Sequence, residues 1–164
     1  KALCATAQKD PARVCPHFDQ IAALLATDNK IVLWNTLQLL GLLAPVDADR
    51  KLDAHLDAYL TFITGGELIS AANAIQGAGR IAQARPDLLD RIIPAVLAVE
   101  RATYKTPECR NVAIGRALEV LEAVGPSACR RPDVAVFIRR QQTNTRAAVA
   151  RRAQRLAADL PQAP

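Results

Sequence analysis

Two stretches of this chain, 33–44 and 71–82, align without a gap at an offset of 38 residues. Asn35 falls on Asn73, Gln38 on Gln76 and Gly41 on Gly79. A third copy, 114–124, follows at an offset of 43, with Ile114, Ala117, Leu118, Leu121 and Val124 on Ala71, Ala74, Ile75, Ala78 and Ile81. Keeping the offset at 38 would pair Asn111 with Asn73, but it would also turn Arg116 and Glu119 into the core, so the longer step is preferred. A weaker fourth copy covers 146–160. A unit of this length cannot bury its apolar face alone. Copies of it must stack to make a continuous core.

Within each copy apolar residues recur at i, i+3, i+4 and i+7, the spacing of an amphipathic helix. Each copy is preceded by another helical stretch, which predicts the pairs 16–26 with 30–44, 48–63 with 68–84, 87–101 with 108–124, and 133–140 with 145–160. Residues 1–10 read as the tail of an earlier helix. Pro11, Pro16, Pro86, Pro107 and Pro132 stand at helix starts, where a missing N–H costs nothing. Asp28-Asn29, Gly65-Gly66 and Gly125-Pro126 mark turns. No sustained period-two run flanked by hairpin turns suggests a strand. The expected fold is all-α: one domain over 1–164, a right-handed α-solenoid of about four hairpins, with units near 11–45, 46–85, 86–125 and 127–160.

Composition agrees with a packed helical core: 51% of the 164 residues are apolar and only 4% aromatic, which argues against disorder and an aromatic-rich sandwich. The most apolar run, 31–44, carries Asn35, Thr36 and Gln38 and is shorter than a membrane span. No signal-peptide pattern opens the chain, and without a Met the sequence reads as a fragment or processed form. Cys4, Cys15, Cys109 and Cys129 form no C-x-x-C pattern and have no His placed to complete a zinc set. Reduced, mostly buried thiols and a cytoplasmic location are expected, with no cofactor, no metal and no membrane.

Several residues invite a functional reading. Asn35, Gln38, Asn73 and Gln76 make a repeated polar pair on one helix face. They form either a strip that holds a peptide backbone or a ladder that fixes helix stacking. Arg80, Arg116 and Glu119 extend the strip. Charge is uneven: residues 101–164 hold 12 basic and five acidic residues against 9 and 11 in residues 1–100. Arg130, Arg131, Arg139, Arg140, Arg146, Arg151, Arg152 and Arg155 crowd the last quarter. This is either a phosphate-binding footprint or the solvated cap a terminal unit needs. Only Phe137 interleaves that cluster, which gives base stacking little support. Trp34 is read as packing between units in preference to a binding anchor. Asp49, Asp53 and Asp57 step along one helix face and are read as its solvated side in preference to a cation or arginine-docking strip. His17 and His55 lack the neighbours of a nucleophilic or metal site. Cys109 follows Thr106 and Pro107 in a helix entry, where a thiol can become reactive.

Asp28, Val32, Thr36, Leu40 and Gly41, with Ala74, Ala78 and Gly79, follow the spacing of HEAT repeats, which the chain resembles over nearly its whole length. Pro94, inside Ile92–Val96, resembles the kinking proline of a HEAT first helix, while Leu33 stands where that family often has Arg. The resemblance implies a scaffold or binding surface. The leading expectation is therefore a non-enzymatic module whose concave strip (Asn35, Gln38, Asn73, Gln76, Arg80, Arg116, Glu119) holds a protein partner. The second is nucleic-acid binding through Arg139, Arg140, Arg146, Arg151, Arg152 and Arg155, similar at fold level to HEAT-like DNA glycosylases. Self-association through an apolar N-terminal edge is also expected.

Overall fold

The computed structural model describes residues 1–160. They are helical, with no strand among them. The α-helices are α1 (Ala2–Lys9), α2 (Phe18–Ala23), α3 (Lys30–Leu43), α4 (Leu52–Thr61), α5 (Leu68–Ala84), α6 (Leu89–Leu97), α7 (Pro107–Val124), α8 (Pro126–Cys129), α9 (Pro132–Gln141) and α10 (Ala147–Ala158). Local chemistry sets several of their starts. Asn29 Oδ1 accepts from the backbone N–H groups of Ile31 and Val32 at 3.0 and 3.2 Å, closing the first turn of α3. Thr106 Oγ1 accepts from Cys109 N at 3.1 Å while Pro107 occupies the first helical position of α7. Buried Asp47 takes Lys51 N and Leu52 N at 3.0 and 2.8 Å at the entry to α4. Gly125, at φ 77°, ends α7.

The helices form two rows. In one, α1 packs on α3, α3 on α5, α5 on α7 and α7 on α10. In the other, α4 packs on α6 and α6 on α9, with α4 and α6 also against α5 and α9 against α10. Burial follows the sequence offsets. Leu33, Thr36, Leu37, Leu39, Leu40, Gly41 and Leu43 are buried in α3, and so is each residue 38 positions later in α5. At the further step of 43, Ile114, Ala117, Leu118, Val120 and Leu121 are buried in α7 while Arg116 is exposed. The larger step is the one that leaves Arg116 and Glu119 on the outer face of the first row.

The closest helix approach lies between α3 and α5. A Cβ on Gly41 would sit 2.7 Å from Gly77 Cα, and one on Gly77 would sit 2.7 Å from Leu37 O and 2.0 Å from Tyr59 Oη. Two glycines thus let the backbones meet, and the fully buried Tyr59 hydroxyl fills the remaining space. It donates one hydrogen bond, with Leu37 O at 3.1 Å and Ala74 O at 3.0 Å as acceptors, so α3, α4 and α5 share one polar point.

Ion pairs tie successive hairpins together. Asp19 meets Lys51 at 2.6 Å, Asp87 meets Arg50 at 2.9 Å, and Asp57 meets Arg91 at 2.7 Å, while Asp53 meets Arg85 at 2.9 Å within one hairpin. Further on, Asp90 meets Arg131 at 2.5 Å and Glu100 meets Arg140 at 2.8 Å. Asp53 and Asp57 thus dock arginines, where the spacing favoured a solvated face, while Asp49 is exposed with no ion pair among the described residues.

Some boundaries differ from expectation. The stretch 16–26 holds only a short α2 between two 3₁₀ turns, the first of which contains Pro16. Pro126 opens the four-residue α8 where a plain turn was expected. Pro94 lies inside α6. At the end of the first row Leu3 and Ile31 are 52% and 63% exposed. Among the described residues no helix is long and apolar enough to cross a membrane.

Candidate functional site

The outer face of the first row carries two grooves side by side. One, about 350 Å³, lies between α5 and α7 and is lined by Asn73, Gln76, Arg80, Gln83, Arg116 and Glu119 with small residues between them. The other, about 360 Å³, lies between α7 and α10 and is lined by Arg116, Glu119, Arg146, Arg151, Arg152 and Arg155. Arg116 and Glu119 line both and form their common wall. The geometry follows from helical spacing. Residues 112, 115, 116 and 119 of α7 face 148, 151, 152 and 155 of α10, the same i, i+3, i+4, i+7 set on each helix.

The amide strip is partly spent on structure. Asn35 Oδ1 accepts the Cys4 thiol at 3.5 Å, and its Nδ2 donates to Ile31 O at 2.5 Å. Gln38 Nε2 donates to Asn73 Oδ1 at 2.6 Å, tying α3 to α5, and Asn73 Nδ2 donates back to Ile69 O at 2.8 Å. Asn35, Gln38 and Asn73 thus form an interhelix ladder. Gln76, the next rung, is exposed and makes no side-chain hydrogen bond among the described residues. Arg80 is partly buried, and its Nη1 is a buried donor without a partner among the described residues. Gln83, one further turn along, donates to Ala123 O at 2.8 Å across the α5–α7 groove. Sequence reading passed over Gln83, although it stands seven residues from Gln76 and so on the same face.

Glu119 organises the shared wall. It takes Arg116 Nη1 at 2.8 Å and Arg152 Nη1 at 2.6 Å, while Arg152 Nε also reaches Glu122 at 3.4 Å. Partial burial alone would raise the Glu119 pKa, but the hydrogen bonds from Arg116 and Arg152 outweigh it and hold the carboxyl below its ordinary range. Arg146, at the N-terminus of α10, pairs with Glu108. Arg151 and Arg155, one turn apart and both exposed, have no ion-pair partner among the described residues.

The clustered arginines do not form one patch. Arg139 and Arg140 belong to α9 in the second row, where Arg140 is paired with Glu100 and lines a different groove with Pro94, Leu97 and Val136. Arg131, in the same row, is held by Asp90 and Asp133. Only Arg146, Arg151, Arg152 and Arg155 share the first-row groove.

No protein-family model matches this chain, and the comparisons with curated proteins and with solved structures found no match.

The remaining candidates fall into structural positions. Trp34 is half-buried and donates from Nε1 to Ser70 Oγ at 3.1 Å, which in turn donates to Glu67 at 2.5 Å. His55 lies against Phe18 with ring centroids 6.3 Å apart. His17 faces Gln20 at 3.2 Å. All four cysteines are free thiols, and burial pushes the thiols of Cys4, Cys15 and Cys129 up from their ordinary pKa. Among the described residues no group of three or more His, Cys, Asp or Glu side chains is arranged to hold a metal ion. What the two grooves offer is recognition chemistry: amide and guanidinium donors set on a rigid helical face.

Proposed function

We propose that this chain is a HEAT-like helical-hairpin array, wound as a solenoid, that works as a protein-binding module. A segment of a partner lies on the outer face of the first row and enters the two grooves that meet at Arg116 and Glu119. The observation that carries this reading is unspent hydrogen-bonding capacity on a preformed surface. Gln76, Arg151 and Arg155 are exposed without partners among the described residues, while Arg116 and Arg152 between them are already held by Glu119. A peptide backbone needs both donors and acceptors, and Gln76 supplies both. A groove built on packed helices has little ordering cost to meet on binding.

Nucleic-acid binding is the second reading, favoured by Arg151 and Arg155, which have no ion-pair partner among the described residues. It is weakened by the division of the arginines between two rows, which breaks any continuous basic track.

Selection from a displayed library of random peptides tests the proposal. Peptides recovered on the parent chain should lose about tenfold or more in affinity on Gln76→Trp, which plugs the α5–α7 groove at an exposed site. Recovery of no binder, or equal binding to Gln76→Trp, would refute it.

A further inference from the structure

The α7–α10 groove has a more specific chemistry than the general reading requires. Five guanidiniums line it against one carboxylate, Glu119. Glu108 and Glu122 at its rim each engage one of those arginines. Two positive charges, at Arg151 and Arg155, are left without a counter-charge among the described residues. Elsewhere the same protein meets an arginine that crosses a helix joint with a carboxylate from the neighbouring hairpin, as at Arg91, Arg131 and Arg140. Along this groove Arg151 and Arg155 are the guanidiniums for which the described chain supplies no carboxylate.

We propose that the α7–α10 groove binds a run of acidic side chains on an extended segment of a protein partner, with Arg151 and Arg155 receiving successive carboxylates. The inference rests on the protein-binding reading and names the partner's chemistry. Spacing supports it. Arg151 and Arg155 are four residues apart on α10, about 6 Å along the helix axis. Alternate residues of an extended peptide lie about 6.6 Å apart and point the same way. Glutamates or aspartates at alternate positions therefore match the two guanidiniums when the segment runs along α10. Glu119 adds to the fit by fixing Arg116 and Arg152 in place while each keeps donors in hand, so their forks need little ordering.

The same face disfavours a phosphate chain. No aromatic side chain lines either groove, so bases have nothing to stack on. Glu119 and Glu122 stand among the arginines and would repel a continuous row of phosphates, whereas discrete carboxylates can be placed between them. Gly115 lets α7 and α10 approach closely: a Cβ there would come within 3.3 Å of Val149 Cγ2.

The test is fluorescence anisotropy with the full chain and a labelled octapeptide alternating glutamate and serine, from about 50 to about 200 mM salt. The glutamine–serine counterpart and a short duplex DNA are run beside it. The glutamate peptide should bind, and the glutamine peptide should bind at least about tenfold more weakly. Arg151→Ala with Arg155→Ala should cost about tenfold or more, with an unchanged circular-dichroism spectrum. Arg101→Ala with Arg110→Ala, two exposed arginines away from the groove, should stay within about twofold. Equal binding of the two peptides, an equal loss in the control pair, or tighter binding of the duplex through Arg151 and Arg155 would each overturn the inference. Library-selected peptides that depend on Gln76 but not on Arg151 and Arg155 would overturn it while leaving the protein-binding reading intact. Peptides indifferent to both would overturn both.

Discussion

Gly77→Ala adds one methyl group at the tightest point of the helix packing. That carbon would stand 2.0 Å from Tyr59 Oη, 3.2 Å from Tyr59 Cζ and 2.7 Å from the backbone oxygen of Leu37. The hydroxyl can move only by abandoning its acceptors, since Tyr59 is fully buried, and Leu37 O can move only if α3 moves. Overpacking of this kind costs about 1–3 kcal/mol. Stranding the buried hydroxyl costs about 1–3 kcal/mol more. The better helix propensity of alanine returns about 1 kcal/mol. The net loss is about 1–5 kcal/mol, which for a chain of this length lowers Tm by about 2–4 °C for each kcal/mol lost. Urea and thermal unfolding followed by far-UV circular dichroism measure it. The mechanism has a signature of its own. Tyr59→Phe removes the atom at 2.0 Å, so Gly77→Ala should cost at least about 1 kcal/mol less in that background. Gly115→Ala is the control, because its single close neighbour is a Val149 methyl at 3.3 Å against the same gain in helix propensity, and it should cost at least about 1 kcal/mol less than Gly77→Ala. A Gly77→Ala protein as stable as the parent, or two costs that simply add, would refute the account of how α3, α4 and α5 meet.

Three further outcomes are expected. Asn29→Ala removes the acceptor shared by Ile31 N and Val32 N and should cost about 1 kcal/mol in the same unfolding assay. Hydrogen bonding to Arg85, aided by Arg50, lowers the Asp87 pKa to about 2, and the bonds from Arg50 and Arg85 outweigh burial to hold Asp53 low as well. Their contribution is present above the unfolded carboxyl pKa near 4 and is lost as pH falls toward 2, so the urea midpoint should drop across that window and drop less in Arg85→Gln. Burial raises Tyr59 well above the ordinary phenol range and pushes Tyr104 up to about 12, so phenolate absorbance should not rise near pH 10, where exposed tyrosines titrate. Because both pKa values are raised, stability is kept below pH 10 and falls as pH climbs from there through 12. A normal titration of either tyrosine in the folded chain would count against its burial.

Helical periodicity made the helices legible, since one apolar face per helix is a one-dimensional signal. The register of α3 against α5 was legible too, because Leu33 and Ala71 have the same apolar neighbours at the same spacing. Partners across helix joints were not. Nothing in the sequence ties Asp53 to Arg85 or Glu119 to Arg152, because those pairs depend on how two helices are turned toward each other. The arginine cluster shows the same gap: Arg140 and Arg146 are six residues apart, yet the α9–α10 turn sends them to different rows. Tyr59 carried no visible signal, because its role depends on two glycines far from it in sequence. The α8 turn was hidden by Gly125-Pro126, a dipeptide that marks a stop and here also opens a new helix.

The ion pairs between hairpins have a mechanical consequence. They cross joints between helices, most of their carboxylates are well exposed, and they are screened by ordinary salt. The apolar contacts inside each joint respond in the opposite sense to salting-out ions. Ionic strength thus acts on the angle between neighbouring hairpins and leaves their helices alone. Salt should therefore loosen the joints between hairpins while helix content stays constant.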